Sequence, residues 1–306
     1  MHNKARHNCT ANCAGLVHSP VLAGVTFQWV SMGKYSESIS KRFEHAKITV
    51  GFCLICGKHG RLSQDHVPPK GAITITKIEQ RHIVEMVGVK ATRVKGVTSP
   101  NGSKFKTICK ECNNRHLGGN DDEVARVCKS ITEKVKEYFK FSNPPYSIVH
   151  TKVNAKKFAR AMVGHILAAT SVEECKKEPE ESSYMQPLKD FVLGNDTAIE
   201  NSHDIYYWFY PFNKHLSAKC VSFSNDGDKA LVSLLSFFPL AFMVTKKNEG
   251  IYPAHSHQLS LTDEILSLDL SSRGFEYAEF PFHGLKPNQM MSLYDFQAIV
   301  SYPIGQ

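Results

Sequence analysis

Two cysteine pairs with identical spacing constrain this chain of 306 residues more than any other feature. Cys53 and Cys56 stand in "CLIC", and Cys109 and Cys112 stand in "CKEC". A two-residue spacer lets both sulfur atoms of a pair reach one ion from a tight turn, and four thiolates suit a tetrahedral, structural Zn²⁺ site. The pattern predicts that the pairs form two knuckles around one zinc ion, the alternative being two unrelated pairs.

The segment between the two knuckles is long and strongly basic. Residues 57–108 far exceed the roughly 15 to 20 residues of a simple zinc ribbon, so a further element is inserted there. From Cys53 to Gly118 there are 12 lysine and arginine residues against 4 acids, a surplus equal to the net charge of +8 of the whole chain. Such an excess is typical of a surface that binds a polyanion, and a solvated basic face without a partner is the alternative.

The composition favours a globular protein of the reducing cell interior. Hydrophobic residues make up 42% and charged residues 22%, close to the averages of soluble domains. No run reaches the roughly 18 apolar residues of a membrane span, and the N-terminus lacks the apolar region of a secretory signal. Paired CxxC in such a chain indicates metal binding rather than disulfides. We therefore expect a cytoplasmic protein with no membrane partner.

The chain divides into three predicted parts. Residues 1–50 are an N-terminal extension of uncertain structure. Two alternatives are open for it: a second zinc site, or a translation start at Met32. Residues 51–142 hold the knuckles and end at the chain-breaking "SNPPY". Residues 143–306 form a C-terminal domain without a recognisable ligand motif. A second zinc site would draw on the residues His2, His7, Cys9 and Cys13.

Hydrophobic periodicity predicts the main elements. A helix from residue 120 to about 139 has an apolar stripe at Val124, Val127 and Ile131, and a second amphipathic helix covers 155–171. Short β-prone runs occur at 73–78, 81–89 and 105–109. Aromatic and β-branched runs from about residue 203 predict a sheet. The run 230–244, which contains Pro239, is consistent with buried strands or a core helix.

Between the knuckles stands "DHVPPK" (65–70), and "CNNRH" (112–116) begins at the fourth cysteine. With these motifs in this order, residues 53–123 resemble the HNH endonuclease family, in the subgroup with a CxxC–DHVPPK–CxxCN arrangement. The resemblance implies a hairpin and a helix around one catalytic metal, often braced by a four-cysteine zinc site. The expected fold class is thus α+β: a ββα-metal HNH module with its zinc site, then a helix and a C-terminal β-rich α+β domain.

The "DHVPPK" stretch contains the groups that phosphodiester hydrolysis needs. His66, with an ordinary pKa of about 6.5, can take a proton from the attacking water as general base. Asp65 offers a hard oxygen ligand to a catalytic Mg²⁺ or Mn²⁺ ion. Adjacent strand residues point to opposite faces, so the backbone has to bend for both to act, and Pro68 and Pro69 end the strand there.

The resemblance also implies roles for residues outside this stretch. Asn113 matches the last metal-ligand position of the family, and His116 is a candidate second ligand on the same helix face. Asn101 is the candidate for the residue that orients the general base, although the insertion after "DHVPPK" is longer than in the common pattern. Asn114 and Asp121 are reserve candidates, and His165 is predicted to be a satisfied core histidine. The expected nucleic-acid contacts are Lys70, Lys104, Lys106 and Arg115.

These observations predict a metal-dependent HNH-type endonuclease that hydrolyses DNA. Two alternatives stay open: a zinc-dependent module that binds nucleic acid without cutting it, and a nuclease that acts on RNA. The C-terminal domain is expected to recognise a target or regulate the nuclease, and it offers a surface for a homo-oligomer or a partner subunit. Roles in phage defence or in a mobile element both fit by analogy alone.

Overall fold

The computed structural model describes residues 48–82, 96–141, 146–225, 228–283, 291–293 and 298–304. The described chain mixes helices with antiparallel sheets, in agreement with the mixed α and β class that the sequence predicts. The suggestions about a second zinc site and a start at Met32 fall on residues 1–47 and lie outside the described residues. So does most of the predicted strand at 81–89.

A small antiparallel sheet carries both knuckles. Its strands β1 (Val50–Phe52), β2 (His59–His66) and β5 (Lys104–Cys109) lie in the order β1-β2-β5. A π-helical turn at Cys112–Leu117 follows β5 and leads into helix α1 (Gly118–Tyr138). The predicted apolar stripe of α1 is buried, which confirms the periodicity of that segment.

A second, larger antiparallel sheet occupies the C-terminal half. Its strands are β3 (Ile78–His82), β4 (Val97–Ser99), β7 (His203–Phe209), β8 (His215–Asn225), β9 (Asp228–Phe237), β10 (Leu240–Lys246), β11 (His257–Gln258), β13 (Met291–Leu293) and β14 (Ala298–Pro303). The main strands lie in the order β11-β7-β10-β9-β8-β14-β3-β4, and β13 pairs with β8 beside this path. The apolar run at 230–244 forms parts of the neighbouring strands β9 and β10, which are joined by a turn at Pro239.

The prediction of a strand over 73–78 is wrong except at its last residue. Strand β3 begins at Ile78, and the preceding residues form a loop after Pro69. The Thr76 carbonyl accepts a hydrogen bond from the Gly102 N–H, so this backbone is tied to a turn instead of a ladder. β-propensity depends on a neighbouring strand, which 73–77 lack in this fold.

Helix α2 (Ala155–Ala168) lies at the centre of the molecule. It is buried on nearly every side, as expected for a helix rich in alanine and apolar on most of its circumference. Asn154 caps it by accepting a hydrogen bond from the Lys157 N–H, and Phe158 packs edge-on against Phe242 of the large sheet. The remaining elements are β6 (Ile148–Lys152) with its partner β12 (Ile265–Asp269), the 3₁₀ helix Val172–Lys176, and the helices α3 (Met185–Leu193) and α4 (Ser272–Glu276).

The knuckle-bearing part and the C-terminal part share one core and one sheet. Strands β3 and β4, inserted between the knuckles, extend the large sheet through the pairing of β3 with β14. One contiguous cluster of buried side chains reaches from Cys53 and Ile108 through Phe158 to Leu235. None of the helices in the described residues combines the length and the apolar content of a membrane span.

Candidate metal centre and the adjoining polar cluster

The four knuckle cysteines converge on one point. Their sulfur atoms all lie within 4.8 Å of one another, and the Sγ atoms of Cys56 and Cys109 are 3.8 Å apart. A tetrahedral zinc ion with Zn–S bonds of about 2.3 Å holds its sulfur ligands about 3.8 Å apart. The geometry therefore fits zinc. The prediction that the two cysteine pairs, distant in the chain, meet in one cluster able to bind a metal is confirmed.

Backbone N–H groups already point at the sulfur atoms. The Cys109 N–H donates to Cys53 Sγ at 3.3 Å, and the Cys112 N–H donates to Cys109 Sγ at 3.4 Å. Such donors stabilise thiolates, the form in which cysteine binds metal. They arise from the local turns: the Gly57 N–H closes the first knuckle on the Cys53 carbonyl, with Gly57 at φ 72°.

The pKa values of the thiols in this cluster are shifted in opposite directions. A hydrogen bond from the Cys112 thiol lowers the pKa of Cys53, and the same bond raises the pKa of Cys112. Burial raises the pKa of Cys56. Four thiols this close together, two of them buried, cannot all ionise without a cation, so this cluster has the chemistry of a metal site rather than of a redox pair.

Asp65 and His66 lie at the end of β2, where the ladder is irregular. Ser63 pairs with Ile108, but Asp65 pairs with Phe105, so β5 contributes one additional residue between these pairs. A bulge of this kind re-aims side chains and is frequent beside functional sites. Asp65 turns into the core with 5% of its surface exposed, whereas His66 is half-buried. The strand ends at His66, and one residue, Val67, separates it from the two prolines.

The ring of His66 lies among a carbonyl and two lysines. Burial and the charge of Lys104, its partner across the ladder, lower its pKa, and Lys70 acts in the same direction. Asp65 and a hydrogen bond to the Asn101 carbonyl oppose this shift. The net effect favours a neutral ring at pH 7, and the backbone of Asn101, the candidate for orienting His66, lies beside the ring.

Asn113 ties the start of the helix to β2. Its amide nitrogen donates to Ser63 Oγ at 3.0 Å and to the Gln64 carbonyl at 2.7 Å. Because the nitrogen is engaged, the amide oxygen is the atom free to bind a cation. The helix is locally π-helical here, with the Gly118 N–H donating to the Asn113 carbonyl, and such turns recur at functional sites.

The other predicted residues surround this region less closely. His116 is half-buried on the π-helical turn, and its carbonyl accepts a hydrogen bond from Asn120. Arg115 and Asn114 are exposed, and Arg115 lies 3.7 Å from Glu111 in an ion pair. Lys106 is partly exposed on β5.

A buried histidine bridges Asp65 to a second carboxylate. His165 of α2 has no exposed surface; its Nδ1 is 2.8 Å from Asp65 Oδ2 and its Nε2 is 2.8 Å from Asp121 Oδ1. Burial lowers the pKa of His165, but the two carboxylates outweigh this effect and raise it to about 10. The ring is therefore doubly protonated and donates to both acids, so neither nitrogen is free to bind a metal.

Sequence reasoning identified His165 as a satisfied core histidine but not its partner. The only local signal was a histidine inside the apolar run "MVGHILA", which implies a buried polar partner without naming it. Asp121, held in reserve from the sequence, is that partner on α1, and Asp65 is the other.

Comparison with known proteins adds no assignment. The chain matches no protein-family model, no curated protein and no solved structure.

Proposed function

We propose that the protein is a metal-dependent endonuclease of the HNH type that hydrolyses DNA. The observation that carries this proposal is the hydrogen bonding of Asn113, at the start of the helix, to the two residues that precede Asp65 and His66. Asn113 of "CNNRH" thereby lies against β2 beside the start of "DHVPPK", and the four-cysteine cluster ties the strands of the small sheet to the beginning of the helix.

The donor set suits two different cations. Cys53, Cys56, Cys109 and Cys112 would hold a structural Zn²⁺. The carboxylate of Asp65 and the amide oxygen of Asn113 are hard donors that would hold Mg²⁺ or Mn²⁺, with His116 as a further candidate. Bound there, a divalent ion would neutralise charge on the phosphate and on the leaving 3′ oxygen.

His66 supplies the base in this proposal. A ring nitrogen bonded to the Asn101 backbone would fix the tautomer and leave the lone pair of the other nitrogen to take a proton from water. The resulting hydroxide attacks phosphorus and the bond to the 3′ oxygen breaks. Lys70 and Lys104, whose charges act on His66, would attract the phosphate of the substrate.

Plasmid nicking tests the enzymatic proposal. Purified protein with Mg²⁺ or Mn²⁺ should nick supercoiled DNA, and His66→Ala should slow nicking by on the order of 10² to 10⁴. His59→Ala is the matched control, because His59 is an exposed histidine at the other end of the same strand. Equal rates for wild type and His66→Ala would end the proposal. Parallel incubation with RNA separates a ribonuclease from a deoxyribonuclease.

One observation favours a second candidate, a zinc-dependent module that binds nucleic acid without cleaving it. Asp65 is buried and its Oδ2 is paired with His165, as in a purely structural ion pair. This candidate predicts that the chain binds DNA with a strong salt dependence but never nicks it at any Mg²⁺ or Mn²⁺ concentration. DNA binding measured in parallel with nicking therefore distinguishes the two.

A further inference from the structure

We infer that His165 is a positioning residue that fixes the orientation of the Asp65 carboxylate for cation binding. This inference rests on the proposed nuclease function and deepens it, because it makes helix α2 of the C-terminal half a necessary part of the site.

The first step is that the two carboxylate oxygens of Asp65 have different partners. Oδ2 lies 2.8 Å from His165 Nδ1, so this bond selects which oxygen faces the core and leaves Oδ1 for a cation. An aspartate carboxylate otherwise rotates freely about its last torsion, which is broad and two-fold. Carboxylates that bind metal are commonly held by such an outer hydrogen bond, and loss of the outer partner weakens metal affinity.

The second step is the rigidity of His165 itself. Its far nitrogen is held by Asp121 of α1, so the ring is fixed at both ends. Its helix is buried from Ala161 to Ala168, and the Ala168 carbonyl one turn later accepts a hydrogen bond from Thr107 of β5. Strand β2, helix α1 and helix α2 therefore meet at this ring.

The third step excludes a direct role in binding the cation. Both ring nitrogens donate to carboxylates, and no ring atom is exposed to solvent. His165 thus acts on the site only through Asp65, which makes it a positioning residue.

Two isosteric variants test this role. The amide nitrogen of asparagine reproduces the position of Nδ1, so His165→Asn keeps the donor to Asp65. The longer glutamine reproduces Nε2, so His165→Gln keeps only the donor to Asp121. With Mn²⁺ as probe, measured by electron paramagnetic resonance of free Mn²⁺ on the zinc-loaded full chain, His165→Gln should raise the Kd by about 10- to 100-fold. His165→Asn should stay closer to wild type, and Asp65→Ala identifies the signal of this site.

Each outcome decides the inference. Unchanged Mn²⁺ affinity in His165→Gln, or equal losses in both His165 variants, overturns it while leaving the nuclease proposal to the wild-type nicking assay. A wild type that neither nicks DNA nor binds Mn²⁺ through Asp65 overturns both. Should the His165 variants fail to fold, as judged by zinc content, Asp121→Ala at a 28% exposed side chain should raise the Kd in the same direction. An unchanged Kd in that variant also overturns the inference.

Discussion

At the scale of single residues, two buried histidines differ in what faces their rings. His165 faces two carboxylates, whereas His203 lies beside the Ser202 hydroxyl at 2.8 Å and the edge of the Tyr184 ring. Burial and the charge of Lys246 lower the pKa of His203 to about 4. At pH 7 the same residue type is therefore a cation in one place and a neutral ring in the other.

The neutral His203 should make stability fall in acid. Its folded pKa of about 4 lies below the unfolded value of about 6.5, so the unfolded chain binds the proton first as pH falls. The stability contributed above pH 6.5 is lost progressively toward pH 4, by on the order of 3 kcal/mol. Urea titrations at several pH values give the free energy of unfolding of wild type and of His203→Asn. The difference between the two proteins isolates the pH-dependent contribution of His203, because the other effects of acid are common to both. A difference between the two proteins that is constant with pH would contradict the assignment.

At the scale of elements, local periodicity predicts single helices and strands but not the contacts between distant parts of the chain. The stripe of α1 and the strand at β5 were predictable because burial on one face leaves a period in the sequence. The knuckle cluster was predictable because cysteine spacing is specific chemistry. The bond between Asp65 and His165 spans 100 positions, and the pairing of β3 with β14 crosses most of the chain. No local pattern encodes such contacts, so the residues of the motif were predictable and their buried partner was not.

The contact between α2 and the π-helical turn yields a second prediction. A methyl group on Gly164 would lie 2.8 Å from Leu117 Cδ1 and 2.9 Å from its Cγ, and Leu117 is fully buried. Gly119, exposed near the start of α1, has nothing within 4 Å of such a methyl group. Alanine is favoured over glycine in a helix by about 1 kcal/mol, but overpacking a core costs about 1 to 3 kcal/mol.

Gly164→Ala should therefore destabilise the protein, whereas Gly119→Ala should be neutral or stabilising. We expect the two variants to differ by on the order of 2 kcal/mol in the free energy of unfolding. Chemical denaturation monitored by circular dichroism measures both. Equal stabilities would mean that Leu117 moves aside without cost and that this helix contact is loosely packed.

At the scale of the whole molecule, the two faces of the large sheet connect the core that contains knuckle cysteines with a second core on the opposite face. Strand β7 alternates: Tyr207 and Phe209 pack into the core that contains Cys53, while Trp208 packs into a second core on the opposite face. Trp208 is buried, and its indole N–H donates to the Ala278 carbonyl at 2.7 Å. A change on one face therefore acts on the same backbone that supports the other.

This continuity predicts one cooperative unfolding transition in place of separate transitions for residues 51–142 and 143–306. The chain has two tryptophans, so Trp29→Phe leaves Trp208 as the only fluorescent reporter of the far core. Zinc release, followed with a colorimetric chelator in denaturant, reports the knuckles. The two curves should coincide, because probes of one cooperative unit report the same midpoint. Cys109→Ser removes one ligand of the proposed zinc site, and structural zinc contributes on the order of 10 kcal/mol in zinc-finger peptides. This variant should therefore destabilise the far core as well and lower the Trp208 midpoint. Zinc release well before any change at Trp208 would instead indicate that the knuckle-bearing part unfolds on its own.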